Sequence, residues 1–175
     1  MKTLSEKTVF TSRYFKILQK VVENNGKTFT KDFIEKNPTV VVIPYTEKNE
    51  IYLESQYRSI FEKVILELVA GNMEIGEDPL ETAKRELLEE AGLIAKKWKK
   101  LSFWNLTANM QSDIHVFAAT DLEQGEQKLD SDEEITIMKL PLDEALQKIE
   151  NGEITIAYHI AALLLFDRLQ KEGRL

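Results

Sequence analysis

The chain of 175 residues contains no cysteine. This excludes disulfides, zinc held by thiolates and a cysteine nucleophile, and it agrees with a cytoplasmic protein. Histidine is scarce too, with only His115 and His159. His115 falls within an apolar run and reads as structural. His159 falls in the last helical stretch, with no partner that the sequence identifies. The longest apolar run, Ile160 to Phe166, is far short of the ~20 residues a membrane-spanning helix needs. The opening MKTLSEKTVF lacks the apolar core of a signal peptide. Excess positive charge is absent as well. The net charge of −7 disfavours nucleic acid and anionic membranes as partners. A polyanionic ligand would need local cations, from a metal or from a few Arg and Lys. There is no internal repeat and no low-complexity tract.

What is present is an ordinary globular composition, 43% hydrophobic and 30% charged, at a length that suits one domain with a real core. The chain is organised around Gly71 to Leu93. Asp78 suits an N-cap, Pro79 the first helical position and Glu81 the third position of a capping box. Gly92 suits a left-handed stop, so a helix is predicted from Asp78 to about Ala91. On its 3.6-residue period, Leu80, Ala83, Leu87 and Ala91 form one face, which should pack on a core. Glu86, Glu89 and Glu90 share another face. Carboxylates so placed repel by roughly 0.2–0.5 kcal/mol per close pair. Arg85 can offset part of this through Glu89, and a hard divalent cation would offset more.

Gly71, Glu77, Arg85-Glu86-Leu87, Glu89-Glu90 and Gly92-Leu93 stand at the spacing of the Nudix box, at every fixed position. Fixed residues at roughly 7% usage each would coincide by chance about once in 10⁸ starting points. The chain therefore resembles the Nudix hydrolase family. The resemblance implies an α/β fold, an α/β/α sandwich with a mixed sheet, and hydrolysis of a nucleoside diphosphate linked to another group. It implies Mg²⁺, with Mn²⁺ able to substitute, held by Glu86, Glu89, Glu90 and the carbonyl of Ala70. Arg85 would orient the glutamates, Glu77 would brace the loop, and Gly71 would permit close backbone approach.

Residues 7–35 read as an antiparallel β ribbon, with Asn24-Asn25-Gly26 as a turn. This sets residues 1–36 apart as an N-terminal β region before a catalytic domain of residues 37–175. The ribbon is either a dimer-building element, as resemblance to the ADP-ribose pyrophosphatase branch implies, or the edge of the same sheet. Thr39 to Tyr45 reads as a buried strand and Ile51 to Arg58 as its return. Leu101 to Leu106 and Ile114 to Ala119 read as two strands, with Thr107 to Asp113 as the loop between them. Lys96 to Lys100 is a short basic cluster that reads as a solvated turn or as a contact for a polyanion. Trp104 is a core residue or a platform for a base. A strand over Glu134 to Leu140, a helix from Pro141 to near Gly152 and a helix over Ile156 to Lys171 complete the chain.

Gln56-Tyr57-Arg58 ahead of Glu67-Leu68-Val69-Ala70-Gly71 resembles the arrangement in Nudix members that take nucleoside diphosphate sugars. By that resemblance Arg58 contacts the diphosphate, where its fork suits phosphate oxygens, and Glu67 is a weaker substrate contact. Glutamates that hold metal are poor proton acceptors, so another carboxylate is wanted as general base. The acidic loop Gln124 to Glu134 offers Asp130, Asp132, Glu133 and Glu134. Alignment on the following strand favours Glu133, with Glu134 one residue away and Glu89 as the box alternative. The resemblance thus implies a cytoplasmic, homodimeric, Mg²⁺-dependent pyrophosphohydrolase of ADP-ribose, ADP-sugars or GDP-sugars. Its products would be a nucleoside monophosphate and a sugar phosphate. Asn105 to Met110 lacks the proline that many ADP-ribose pyrophosphatases carry there, so base and sugar stay open. The alternatives are hydrolysis of nucleoside triphosphates or of capped or dinucleoside polyphosphates, and a non-catalytic nucleotide sensor. The complete set of box glutamates argues against the sensor.

Overall fold

Strand β4 (Thr39–Pro44) shows how the core is divided, since all of its residues are buried. Val41 and Ile43 enter one apolar cluster, Val40 and Val42 another. A strand covered on both faces must alternate in this way. The computed structural model describes residues 1–74, 76–131 and 133–175. The elements in order are β1 (Lys2–Thr11), β2 (Phe15–Asn24), β3 (Lys27–Lys36), β4, β5 (Glu50–Arg58), β6 (Lys63–Glu67), β7 (Val69–Asn72), α1 (Pro79–Ala91), β8 (Leu93–Thr107), β9 (Met110–Gln124), β10 (Ile135–Pro141), α2 (Leu142–Glu150) and α3 (Ala157–Lys171).

The larger sheet runs β1-β2-β3-β9-β4-β7, with β8 on the other edge of β9, and a second sheet runs β10-β5-β6. Ala83, Leu87 and Ala91 of α1 cover one face with Val40, Val42 and Phe117. Ala145 of α2 and Ala162, Leu163 and Phe166 of α3 cover the other with Val41, Ile43 and Val116. This is the α/β/α sandwich with a mixed sheet. The ribbon of β1, β2 and β3 continues the same sheet, but its parallel link to β9 is only Ile34 with Met110 and Glu35 with Gln111.

The local signals around α1 act as predicted, with one exception. Asp78 accepts from the Leu80 and Glu81 backbone N–H groups, at 2.8 and 3.3 Å. Gly92 closes the helix in the left-handed region at φ 62°. Glu81, however, does not return to the cap; it pairs with Lys84 at 2.7 Å. The region after the box also corrects the sequence reading. β8 and β9 form one long hairpin with only Ala108 and Asn109 between them, so no loop spans Thr107 to Asp113. Lys96 to Lys100 lies within β8 and is not a turn. Its lysines are exposed, while Trp98 packs against the cluster under α1.

Candidate active site

The helical period of α1 turns Leu87 inward and carries Glu86, Glu89 and Glu90 to the wall of a cavity of about 790 Å³. Ala70 and Gly71 from β7 form the adjoining wall, and Arg58 stands at the end of β5. The β1–β2 turn and the end of β3 bring Arg13 and Lys36. The acidic loop brings Lys128, Asp130 and Glu133, and Tyr158 enters from the start of α3.

Arg85 orders the carboxylates around it. It reaches Glu77 at 3.2 Å, Glu86 at 2.8 Å and Glu89 at 3.1 Å. Glu77 also accepts from the Glu74 backbone N–H at 2.9 Å, which braces the loop ahead of the helix. The Arg85 guanidinium holds the Glu77 carboxyl down at about 2. Burial works against the Arg85 charge, but its bonds to Glu77 and the nearby Glu86 and Glu89 carboxylates outweigh it and raise its pKa.

Glu86 and Glu90 are buried. Burial disfavours a bare carboxylate. It pushes Glu86 up to about 7, against the pull of Arg85. Glu90 is raised well above its usual range, by burial first and then by repulsion from Glu54 and Glu86. Glu90 keeps one backbone donor, the Ala70 N–H at 3.1 Å. A Cβ on Gly71 would run into the Glu86 carboxylate, so glycine here leaves that side chain its place against β7.

Arg58 donates through Nε and Nη2 to the two oxygens of Glu67, at 2.6 and 2.8 Å. Glu67 is 1% exposed. It pairs with Arg58 and does not itself border the cavity. Arg58 uses two of its five N–H donors on this brace and still borders the cavity. Glu133 borders the cavity as well, and its Oε2 accepts the Asp130 backbone N–H at 3.0 Å. Glu134, the next residue, is exposed. Asp132 lies outside the described residues. Trp104 packs against the core cluster on the α2–α3 side. His115 meets the edge of the Phe103 ring.

The structure adds groups that the sequence reading missed. Glu54 of β5 is 2% exposed, lies within hydrogen-bonding reach of Glu90, and is pushed by burial up to about 8. Its signal was an acid directly after the apolar Ile51-Tyr52-Leu53 run. For His159, which the sequence left without a partner, the structure supplies one: fully buried, it accepts the Leu68 backbone N–H at Nδ1 at 2.8 Å, and burial lowers it to about 3. Arg13, Lys36 and Tyr158 carried no signal, because only the tertiary fold brings them to the cavity.

These groups fit a hard divalent cation. Several carboxylates are crowded where water cannot stabilise their charge, and Glu54 Oε1 has no hydrogen-bond partner. Among the described residues no three acidic or histidine side chains already converge in metal-ligand geometry. A cation would therefore have to draw Glu86, Glu89 and Glu90 together against their mutual repulsion.

Comparison with known proteins gives a consistent picture. The NUDIX domain family model matches residues 35–162. The ADP-ribose pyrophosphatase of Bacillus subtilis is 35% identical over 184 aligned positions, covering 98% of this chain and 100% of that protein. The methanol dehydrogenase activator of Bacillus methanolicus is 38% identical, covering 87% of this chain and 85% of its own. The crystal structure of an ADP compounds hydrolase superposes with a TM-score of 0.86 at 25% identity, over 99% of this chain and 96% of that one.

Proposed function

The chain belongs to the Nudix family, and from that premise we propose that it is a Mg²⁺-dependent pyrophosphohydrolase of nucleoside diphosphate sugars. The observation that carries the reading is one cavity with two walls. One holds Arg58, braced by Glu67; the other holds the box carboxylates. The likeness to proteins named ADP-ribose pyrophosphatase and ADP compounds hydrolase points to an adenosine diphosphate substrate.

Glu86, Glu89, Glu90 and the Ala70 carbonyl would hold Mg²⁺ or Mn²⁺. When bound, the metal would polarise phosphoryl oxygens and lower the pKa of water. Arg58 binds the diphosphate through its remaining N–H groups. Glu133 takes a proton from the attacking water as its oxygen bonds to phosphorus. The bridging P–O bond breaks, and the departing phosphate keeps the electron pair. Arg85 keeps the box glutamates oriented throughout. Glu133 suits the base because it borders the cavity and Glu134 does not.

The same reading includes a cytoplasmic homodimer, with residues 1–36 as the dimer-building region. Exposed apolar side chains on the ribbon, among them Leu4, Val9, Phe10 and Phe29, support it. Turnover of ADP-ribose, ADP-glucose, GDP-mannose, UDP-sugars and dinucleotides, read as phosphate released after phosphatase coupling, tests the function. Metal-dependent cleavage of ADP-ribose or an ADP-sugar is expected. Cleavage of the dinucleotides alone, with every sugar nucleotide left intact, would overturn it. The likeness to a methanol dehydrogenase activator supports a second reading, stimulation of an alcohol dehydrogenase. Assaying such an enzyme with and without the chain tests that directly.

A further inference from the structure

Strands β5 and β6 pair antiparallel with Glu54 opposite Glu67. Like charges directly opposed across a sheet destabilise it. The two are treated differently. Glu67 receives both forks of Arg58. Glu54 is in no ion pair among the described residues, its Oε1 has no hydrogen-bond partner, and it is 2% exposed. Glu90 lies within hydrogen-bonding reach and Glu133 nearby, and the nearby cation, Arg58, already has two of its N–H groups on Glu67. The cavity's most heavily engaged cation, Arg85, is bonded to Glu77, Glu86 and Glu89.

Packing does not explain such a residue, because burying a carboxylate costs free energy unless it is paired or coordinates a metal. A divalent cation does explain it. Hard cations collect several oxygen ligands, and an unpartnered, buried carboxylate oxygen beside Glu90 is one. We propose that Glu54, supplied by the sheet and not by the box, is an additional carboxylate of the divalent-cation site. The proposal rests on the box carboxylates being that site. It makes the cation a tie between α1 and β5, where the box alone would confine it to α1 and β7.

Mn²⁺ binding to the full chain, read from the electron paramagnetic resonance of free Mn²⁺, tests this together with thermal unfolding of the metal-free protein. Glu54→Gln keeps a hydrogen-bond donor for Glu90, so a purely structural Glu54 predicts parental Mn²⁺ affinity. The proposal predicts affinity weaker by about 10–100-fold, with a metal-free Tm equal to or above the parent's. Glu54→Asp keeps the charge but withdraws it, and should weaken binding by a smaller factor. Parental affinity in Glu54→Gln overturns the proposal; if that variant does not fold, parental affinity in Glu54→Asp does so. Glu90→Gln separates the two levels. Weak binding there beside parental binding in Glu54→Gln removes Glu54 and leaves the box reading intact. Absence of Mn²⁺ binding by the parent removes both.

Discussion

Along α1, Ala83 and Leu87 are fully buried and Glu86 and Glu90 nearly so, whereas every residue of β1 is exposed. Both regions belong to structures that line the same cavity, α1 through its glutamates and the ribbon through Arg13 and Lys36. The box is held by the core cluster under α1 and by Arg85. The ribbon is held to the remainder of its sheet through the short link at Ile34 and Glu35. The difference separates two demands on a site. Groups that meet the reacting atoms need fixed geometry, and the core supplies it. Groups that add charge at the rim tolerate a looser frame.

If this division holds, effects on turnover should fall off from the box side to the ribbon. The largest is expected at Glu133. Glu133→Gln should lower kcat by about 10²–10⁴-fold, the usual worth of a general base, while Glu134→Gln changes it little. Equal, parental rates in both variants would shift the base to Glu89 or to metal-bound hydroxide. Next comes Gly71→Ala. Its methyl group must displace the Glu86 carboxylate, so Mn²⁺ affinity should fall by about 10–100-fold with little change in Tm. Undiminished affinity would show that Glu86 has room to give.

On the ribbon, Phe10 is 50% exposed. Phe10→Asp should leave the monomer folded and shift light scattering toward the monomer mass, with a change in kcat of less than about tenfold. A parental chain that is already monomeric at micromolar concentration would end the dimer reading. The smallest effect concerns the core behind the site. His159 is buried neutral with its pKa lowered to about 3. The unfolded chain takes up a proton near pH 6.5 that the folded chain refuses. His159 therefore favours folding above pH 6.5, and this contribution is lost as pH falls toward 3, by at most about 1.4 kcal/mol per pH unit. His159→Asn keeps an acceptor for the Leu68 N–H. It should unfold in urea with a shallower loss of stability between pH 7 and pH 5; an unchanged slope would remove His159 as the source.

The parts legible in the sequence are those set by local rules. Asp78, Pro79 and Gly92 bound α1 because caps act over a few residues. The split between Leu87 and Glu86 follows from 3.6 residues per turn. β4 was legible as a continuous apolar run. What was not legible depends on pairing across distance. Glu54 meets Glu67 only through the register that sets β5 against β6, and Glu90 only through the packing of α1 on the sheet. The pairing of Glu67 with Arg58 likewise depends on strand register, which sets β5 beside β6. The lysines of β8 read as a turn because an exposed strand edge and a polar loop have similar composition, and the inward side chain, Trp98, is a single residue among them.

The parallel pairing of β4 with β9 has a kinetic consequence. β4 aligns Thr39 with Ile114 and Ile43 with Ala118, and β5 through β8 and α1 all lie in the stretch between. Closing so long a loop costs chain entropy before any contact repays it, and parallel partners cannot be joined by a hairpin. The β8–β9 hairpin and α1 with its caps can form early on local contacts, but they cannot be locked in place until β4 inserts between β9 and β7. Refolding should therefore show fast growth of secondary structure and a slower phase in which Glu90 first meets Ala70. Cation binding, which needs both, should become detectable only in that slower phase.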